Sequence, residues 1–382
     1  MAPQSSAEAQ PLHVMLTVNA AWNIWNFRQP ILKALLSKGH RVTVLAPADD
    51  SVPKLQEMGC RVLPLEMSAK GLNPLEGLRL RRTCVRAFRQ ERPDIVFSYT
   101  IKNNLFGAMA ARTCSLPFLP NVTGLGTAFL SGGALQRVAE GLYRHAFRSL
   151  PTVFFQNEDD RALFLSRRLV REEQTEVLPG SGIDLERFAA APFPEGPETR
   201  FLMVARLLRD KGVREYVEAA RMLKAEGAQA RFQILGATDS ENRTAISREE
   251  LAEWEAEGVI EHLGTAPDVR PHIASAHCIV LPSYREGAPR TLIEAAAMAR
   301  PLIATDVPGC KSVVDHAANG LLCKVRSGAS LADAFRRFLA MDTGERREMG
   351  QTGRAKMAAE YDEGLIVAAY ERAMVQMIGR GV

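Results

Sequence analysis

The sequence predicts an α/β protein of two tandem parallel-sheet domains, and three observations carry that expectation. Short apolar runs recur at intervals filled by amphipathic, helix-like segments, the pattern of βαβ units and doubly wound sheets. That pattern stops in a Pro-rich stretch between Phe188 and Thr199 and then restarts. A length of 382 residues suits two domains or one large one.

The first strand is Leu12 to Val18, followed by a loop, Asn19 to Asn23, and a helix from about Phe27 to Lys38. Gly39-His40 ends that helix, and further strands are expected at Arg41 to Pro47, Arg61 to Leu65, Asp94 to Ser98, Pro117 to Pro120, Thr152 to Gln156 and Thr175 to Leu178. A helix from Leu75 to Glu91 is crowded with arginines on one side, and Leu135 to Arg148 is a second basic amphipathic stretch. Such helices serve either as ordinary solvated faces or as surfaces for anionic lipid. Residues 189–199 read as a connector. Beyond it, strands are expected at Phe201 to Ala205, Phe232 to Gly236, Ile260 to Leu263, His277 to Leu281 and Pro301 to Thr305, with a helix from Val213 to Lys224. Tyr361 to Met377 closes the chain as an amphipathic helix. The resulting divisions are a disordered tail over 1–10, a first domain over 11–188, a linker over 189–199, a second domain over 200–360 and a terminal helix over 361–382. In such sheets ligands bind at the carboxyl ends of strands, so two halves in tandem imply a cleft.

Composition excludes several classes. With 46% hydrophobic and 24% charged residues, the chain is that of a globular protein with ample core. No apolar run approaches the roughly 20 residues that span a bilayer. Met1 to Ser6 has neither a basic nor an apolar leader region, so no export signal is expected. Six scattered cysteines without a C-x-x-C pair or clustered histidines read as reduced thiols, not as disulfides or a zinc site. No G-x-G-x-x-G follows the first strand of either half, which disfavours a dehydrogenase. The N-terminal half is the basic one.

Two loops carry the chemistry. Tyr284-Arg285-Glu286-Gly287-Ala288-Pro289-Arg290 joins a buried strand to a helix beginning near Thr291, with Glu294 inside that helix. Gly287 lets the backbone approach a ligand, and free N–H groups at a helix start favour an anion such as a diphosphate. A carboxylate within the helix can accept hydrogen bonds from ribose or sugar hydroxyls. On spacing alone, two solvated surface glutamates explain the stretch equally well. The other loop, Ala205 to Gly212, follows the first strand of the second half and carries Arg206 and Lys211, cations suited to a diphosphate. Taken alone, these read as solvated charges.

In combination, Arg206…Lys211-Gly212, Leu281-Pro282-Ser283 and Glu286-Gly287…Glu294-Ala295 resemble the retaining nucleotide-sugar glycosyltransferases of family 4. Their architecture is GT-B, two Rossmann-like domains facing across a cleft. The resemblance covers nearly the whole chain after the first ten residues. Asn26-Phe27-Arg28-Gln29-Pro30-Ile31, Leu72-Asn73-Pro74, Gly124-Leu125-Gly126 and Leu281-Pro282-Ser283-Tyr284 are similar to a bacterial branch that extends undecaprenyl-diphosphate-linked sugars, the α-1,3-N-acetylgalactosaminyltransferase branch.

The resemblance implies roles. Glu294 would bind the ribose hydroxyls, while Glu286, the amides of Gly287 and Ala288, and the adjoining Pro289, which has no N–H to give, would hold the sugar and its leaving phosphate. Gly236 and Arg290 would complete the donor-binding set, and Arg290 stands where smaller residues are usual. Arg206 and Lys211 would neutralise the departing diphosphate, for which this family needs no metal and no cofactor; retention needs no enzyme nucleophile. On the acceptor side, Asn19 to Trp25 replaces a loop that is often Gly-rich, and Trp22 and Trp25 suit a sugar or lipid contact and domain packing equally. Thr123 and Gly124 offer backbone for close approach. Lys102 lies where relatives commonly place a histidine. The terminal helix would cross back to the first domain. The expected activity is retaining transfer of a hexose or N-acetylhexosamine from a UDP-sugar to a polyprenyl-diphosphate-linked saccharide, at the cytoplasmic face of the inner membrane, with peripheral contact to anionic lipid and no nucleic acid. The alternatives are a UDP-sugar 2-epimerase and a non-catalytic sugar-nucleotide-binding subunit.

Overall fold

A computed structural model describes residues 10–67, 74–125, 133–238 and 244–379. Leu72, Asn73, Gly126 and most of the tail expected over 1–10 lie outside these residues. The chain divides into two compact units, one of Met1–Ser181 with Glu363–Val382 and one of Gly182–Asp362.

Unit 1 is a seven-stranded sheet in the order β3-β2-β1-β4-β5-β6-β7. Its strands are β1 (His13–Thr17), β2 (Arg41–Ala46), β3 (Arg61–Pro64), β4 (Ile95–Tyr99), β5 (Phe118–Val122), β6 (Val153–Phe155) and β7 (Thr175–Val177). Every pairing is parallel, as between Thr17 and Leu45 on one side of β1 and Thr17 and Ser98 on the other. Parallel strands are covered on both faces, which explains why β1 and β4 are buried throughout. One face carries the helices Ala21–Phe27 and Gln29–Ser37 and the terminal helix Glu363–Ile378, which buries Ile366, Ala369, Tyr370, Ala373 and Met374 there. The other face carries Pro74–Glu91, Ile101–Thr113 and Gly133–Phe147. The acidic run Glu158 to Asp160 opens a helix capped by Asn157, whose side chain accepts the Asp160 N–H.

Unit 2 repeats the plan with six parallel strands in the order β10-β9-β8-β11-β12-β13. They are β8 (Thr199–Val204), β9 (Ala230–Leu235), β10 (Glu261–His262), β11 (Cys278–Leu281), β12 (Leu302–Thr305) and β13 (Gly320–Cys323). In both units the strand order reverses beside the first strand, between β1 and β4 and between β8 and β11. Loops leaving adjacent strands to opposite faces open a crevice at such a point.

Three features differ from expectation. Asn19 to Asn23 is only partly loop, because a helix starts at Ala21 and ends at Phe27. Pro30 explains the break: its ring cannot follow a continuous helix, yet it fits the first turn of a new one beginning at Gln29. The strand β13 has no counterpart in the expected set. Residues 189–199 are not the boundary; the chain passes between units at Ser181/Gly182 and Asp362/Glu363. The Pro-rich stretch packs within unit 2, where the fully buried Arg300 guanidinium donates to the carbonyls of Ala191 (3.1 Å), Pro192 (2.5 Å), Ile273 (3.2 Å) and Ala274 (2.9 Å).

Candidate active site

The site is built from the loops at the carboxyl ends of β8 and β11. After β8 the chain forms a short 3-10 turn, Arg209–Lys211, and then Gly212 in the left-handed region, φ 77°. A Cβ on Gly212 would stand 2.0 Å from the Pro282 carbonyl oxygen, so only glycine lets the two loops touch. The Tyr284 N–H donates to the Asp210 carbonyl at 2.9 Å, and the Thr291 hydroxyl donates to the Val204 carbonyl at 3.0 Å. These bonds fix the β8 loop, the β11 loop and the following helix, Arg290–Ala297, as one surface.

On that surface Lys211 and Glu286 meet, with Nζ 2.5 Å from Oε1. The carboxylate is 13% exposed and the ammonium 25%. Glu286 is also braced from behind, since its N–H donates to the Pro308 carbonyl at 3.3 Å. Gly309, at φ 81°, lies so close to this loop that a Cβ would come within 2.5 Å of the Glu286 carbonyl oxygen and 2.6 Å of that of Gly287. The sequence reading missed Gly309, because the contact joins the loop after β12 to the loop after β11 and leaves no local signature. Next to it lies the Cys310 thiol, whose pKa is raised by burial and further by the Glu286 carboxylate.

Glu294 lies one helical turn beyond Arg290, and Arg290 Nε donates to its Oε1 at 2.8 Å. Arg290 also donates through Nη1 to the Gly182 carbonyl at 3.2 Å. Glu294 is 14% exposed, and burial raises its carboxyl pKa against the opposing pull of Arg290. The two carboxylates of the expected motif are therefore both held by cations. Pro289 is the N-cap of the helix and is buried, with Ala288 packed against the core beneath it. Gly236 follows β9 with φ 159°, and a Cβ there would stand 1.8 Å from the Ala205 carbonyl oxygen. Its role is thus to let the β9 and β8 loops close up. Arg206 is exposed in the same loop as Lys211.

In unit 1 the residues expected on the acceptor side lie after the carboxyl ends of β1, β4 and β5. Asn19 follows β1. Trp22 is 54% exposed in the first turn of its helix, with its N–H bonded to Asp49 Oδ2 at 2.8 Å and its ring edge-on to Phe27 at 5.4 Å. Lys102 is in the first turn of Ile101–Thr113, where Nζ lies 3.2 Å from Glu76 Oε2. Thr123 and Gly124 follow β5 and are half-buried, Gly124 at φ 147° with nothing within 4 Å of where a Cβ would stand. Among the described residues no group of three or more His, Cys, Asp or Glu is gathered where a metal ion could be held.

Comparison with known proteins gives the family and the fold. Residues 186–356 match the family model for glycosyl transferases group 1, and residues 24–180 match the glycosyl transferase 4-like domain. Over 369 residues, 92% of this chain and 95% of the relative, the sequence is 30% identical to the N,N'-diacetylbacillosaminyl-diphospho-undecaprenol alpha-1,3-N-acetylgalactosaminyltransferase of Campylobacter jejuni. The UDP-Gal:alpha-D-GlcNAc-diphosphoundecaprenol alpha-1,3-galactosyltransferase of Escherichia coli is 23% identical over 65% of this chain and 67% of its own. In fold, the chain is similar to sucrose-phosphate synthase from Thermosynechococcus elongatus (TM-score 0.79, 20% identity, 96% of this chain and 99% of that one). It is also similar to Anabaena HepE in complex with UDP and glucose (TM-score 0.76, 18% identity, 96% and 100%). The chain belongs to the group 1 glycosyltransferases, enzymes of the GT-B fold.

Proposed function

We propose that this glycosyltransferase moves a hexose or N-acetylhexosamine from a UDP-sugar to a polyprenyl-diphosphate-linked saccharide, with retention of the anomeric configuration. The observation that carries the donor half is the Lys211–Glu286 pair at the carboxyl end of β8 and β11. A cation beside a carboxylate at a helix start suits a sugar diphosphate: the carboxylate accepts from sugar hydroxyls, and the ammonium stabilises charge growing on the leaving group. In this reading Arg206 adds a second cation, and the amides of Gly287 and Ala288 receive phosphate or sugar oxygens. Glu294 takes the ribose hydroxyls, Arg290 orients its carboxylate, and Gly236 keeps the neighbouring loop close. The acceptor attacks from the face that the diphosphate leaves, without an enzyme nucleophile, and neither a metal nor a cofactor is assigned.

The acceptor half rests on the names of the relatives. Both relatives act on undecaprenol-diphosphate-linked sugars, one of them with UDP-Gal. Asn19, Trp22, Lys102, Thr123 and Gly124 are the unit 1 residues assigned to that acceptor. No helix among the described residues is long and apolar enough to cross a membrane. The helices Pro74–Glu91 and Gly133–Phe147 carry arginines on their outer sides together with the exposed Leu78 and Val138. They suit contact with anionic lipid at the cytoplasmic face, where each basic residue adds about 1 kcal/mol.

The test is product analysis. Incubation with a panel of UDP-sugars and a polyprenyl-diphosphate-linked sugar should add one hexose or N-acetylhexosamine to the lipid, joined in the configuration it had in the donor. An inverted linkage, or a sugar nucleotide altered without acceptor, would overturn the reading.

A further inference from the structure

Among the described residues, Arg28 is a buried cation without a counterion. It lies between the helices Ala21–Phe27 and Gln29–Ser37 and is 2% exposed. Its backbone is committed, the N–H to Ile24 and the carbonyl to Leu32. Its side chain is not: Nε and Nη1 are buried without a hydrogen-bond partner, and among the described residues it makes no ion pair. What it touches is a ring, with Cζ 4.2 Å from the centroid of Tyr99. The groups around that ring are neutral. Tyr370 stands 6.4 Å from Tyr99, its hydroxyl accepts from Asn121 Nδ2 at 3.1 Å, and Asn121 is the register partner of Tyr99. Burial raises the pKa of both phenols, so neither supplies a negative charge.

An uncompensated guanidinium in such a place destabilises the fold, and a cation–π contact offsets only part of that. The location says what offsets it. Tyr99 is the last residue of β4, at the strand end where the order of the sheet reverses. Thr100 follows as N-cap of the 13-residue helix Ile101–Thr113, which packs on the other face of the sheet, and gives that helix no side-chain cap, so first-turn N–H groups at the same strand end favour an anion too. We propose that Arg28 receives a phosphoryl oxygen of a diphosphate, which makes the end of β4 the anion site of unit 1. The diphosphate is that of the lipid-linked acceptor, an assignment that rests on the function proposed above.

The experiment uses the full chain with UDP at saturation, so that the donor site is occupied. Wild type, Arg28→Met and Arg28→Lys are titrated with farnesyl diphosphate, farnesol and inorganic pyrophosphate, and their thermal unfolding is followed. Arg28→Met should weaken farnesyl diphosphate binding about 10-fold or more, the lower range for a hydrogen bond to a charged group. Arg28→Lys should recover part of it, and farnesol binding should not change. Because the substitution removes an unpaired buried charge, Arg28→Met should unfold at the same temperature as wild type or higher. Equal binding of farnesyl diphosphate by wild type and Arg28→Met would overturn the site and leave buried water as the partner of the guanidinium. A lower unfolding temperature with equal loss of farnesol and farnesyl diphosphate would make Arg28 a structural prop. Arg28-dependent binding of pyrophosphate as tight as that of farnesyl diphosphate would overturn the lipid source. The binding assay involves no transfer, so failure of the proposed reaction and failure of this site are separable.

Discussion

At the scale of single residues, the account turns on Lys211, Glu286 and Glu294. Lys211 makes its contact through a side chain that is 25% exposed, and the fold of its loop depends on backbone bonds and on Gly212. Lys211→Ala should therefore lower turnover by about 10²–10³, the usual effect of losing one charge-stabilising contact. Its melting temperature should barely move; a thermal shift large enough to account for the whole activity loss would count against the role. Glu294→Ala should weaken UDP binding by about 1.5–3 kcal/mol, the range for hydrogen bonds to a charged group. Unchanged affinity in a calorimetric titration would sink the ribose assignment. Glu286 and Glu294 share one loop and helix, whereas Lys211 lies 75 residues before Glu286 in another loop. Through the family resemblance, their combination was legible in the sequence. Gly309 was not, nor was the ion pair that ties Lys102 to Glu76, because in each case the partner comes from a distant segment. The pairing of Arg290 with Glu294 sits between the two. The four-residue spacing is visible in the sequence, but it marks an ion pair only once Arg290 is known to open the helix that carries Glu294.

Among elements, strands that are apolar throughout could be read directly, since a parallel strand covered on both faces has no reason to alternate. Helix boundaries near Pro30 and the Pro-rich segment could not. A stretch without periodicity looks like a connector whether it is solvated or pinned, and only Arg300, more than a hundred residues away in the chain, decides the matter. The same corner of unit 2 contains His277, which precedes β11. Its Nδ1 accepts the Arg200 N–H at 3.1 Å, and its ring packs edge-on to Phe193 at 5.5 Å. Burial first, and then the Arg200, Arg346 and Arg300 guanidinium groups, push its pKa down to about 4. The unfolded chain thus takes up this proton near the ordinary value of about 6.5, before the folded one does. The contribution of His277 to stability should be flat above about pH 6.5 and fall between about 6.5 and 4, by about 3 kcal/mol over the whole window. His13 and His40, also buried with lowered pKa values, add to the fall in wild type, so denaturant midpoints measured across that range should show a slope that is shallower in His277→Gln; parallel slopes in both would assign it to other groups.

At the scale of the molecule, two units share one chain that passes between them twice, and the last helix belongs with the first unit. Amphipathic spacing made that helix legible, whereas its docking face rested on resemblance alone. Tyr370 is buried among Phe97, Tyr99 and Phe154 of unit 1, with ring centroids at 4.8, 6.4 and 5.0 Å. Tyr370→Ala should cost about 3–5 kcal/mol of stability, the range for truncating a large buried aromatic residue. It should leave UDP affinity intact, because every residue assigned to the nucleotide lies in unit 2. Equal losses of stability and UDP affinity would mean that the units do not divide the work in this way. The division itself is tested most directly by UDP release from a UDP-sugar, followed with and without a polyprenyl-diphosphate-linked acceptor, for wild type and Lys211→Ala. The account predicts release that requires the acceptor and falls about 10²–10³-fold in the variant. Release at the same rate without acceptor, or undiminished in Lys211→Ala, would contradict it.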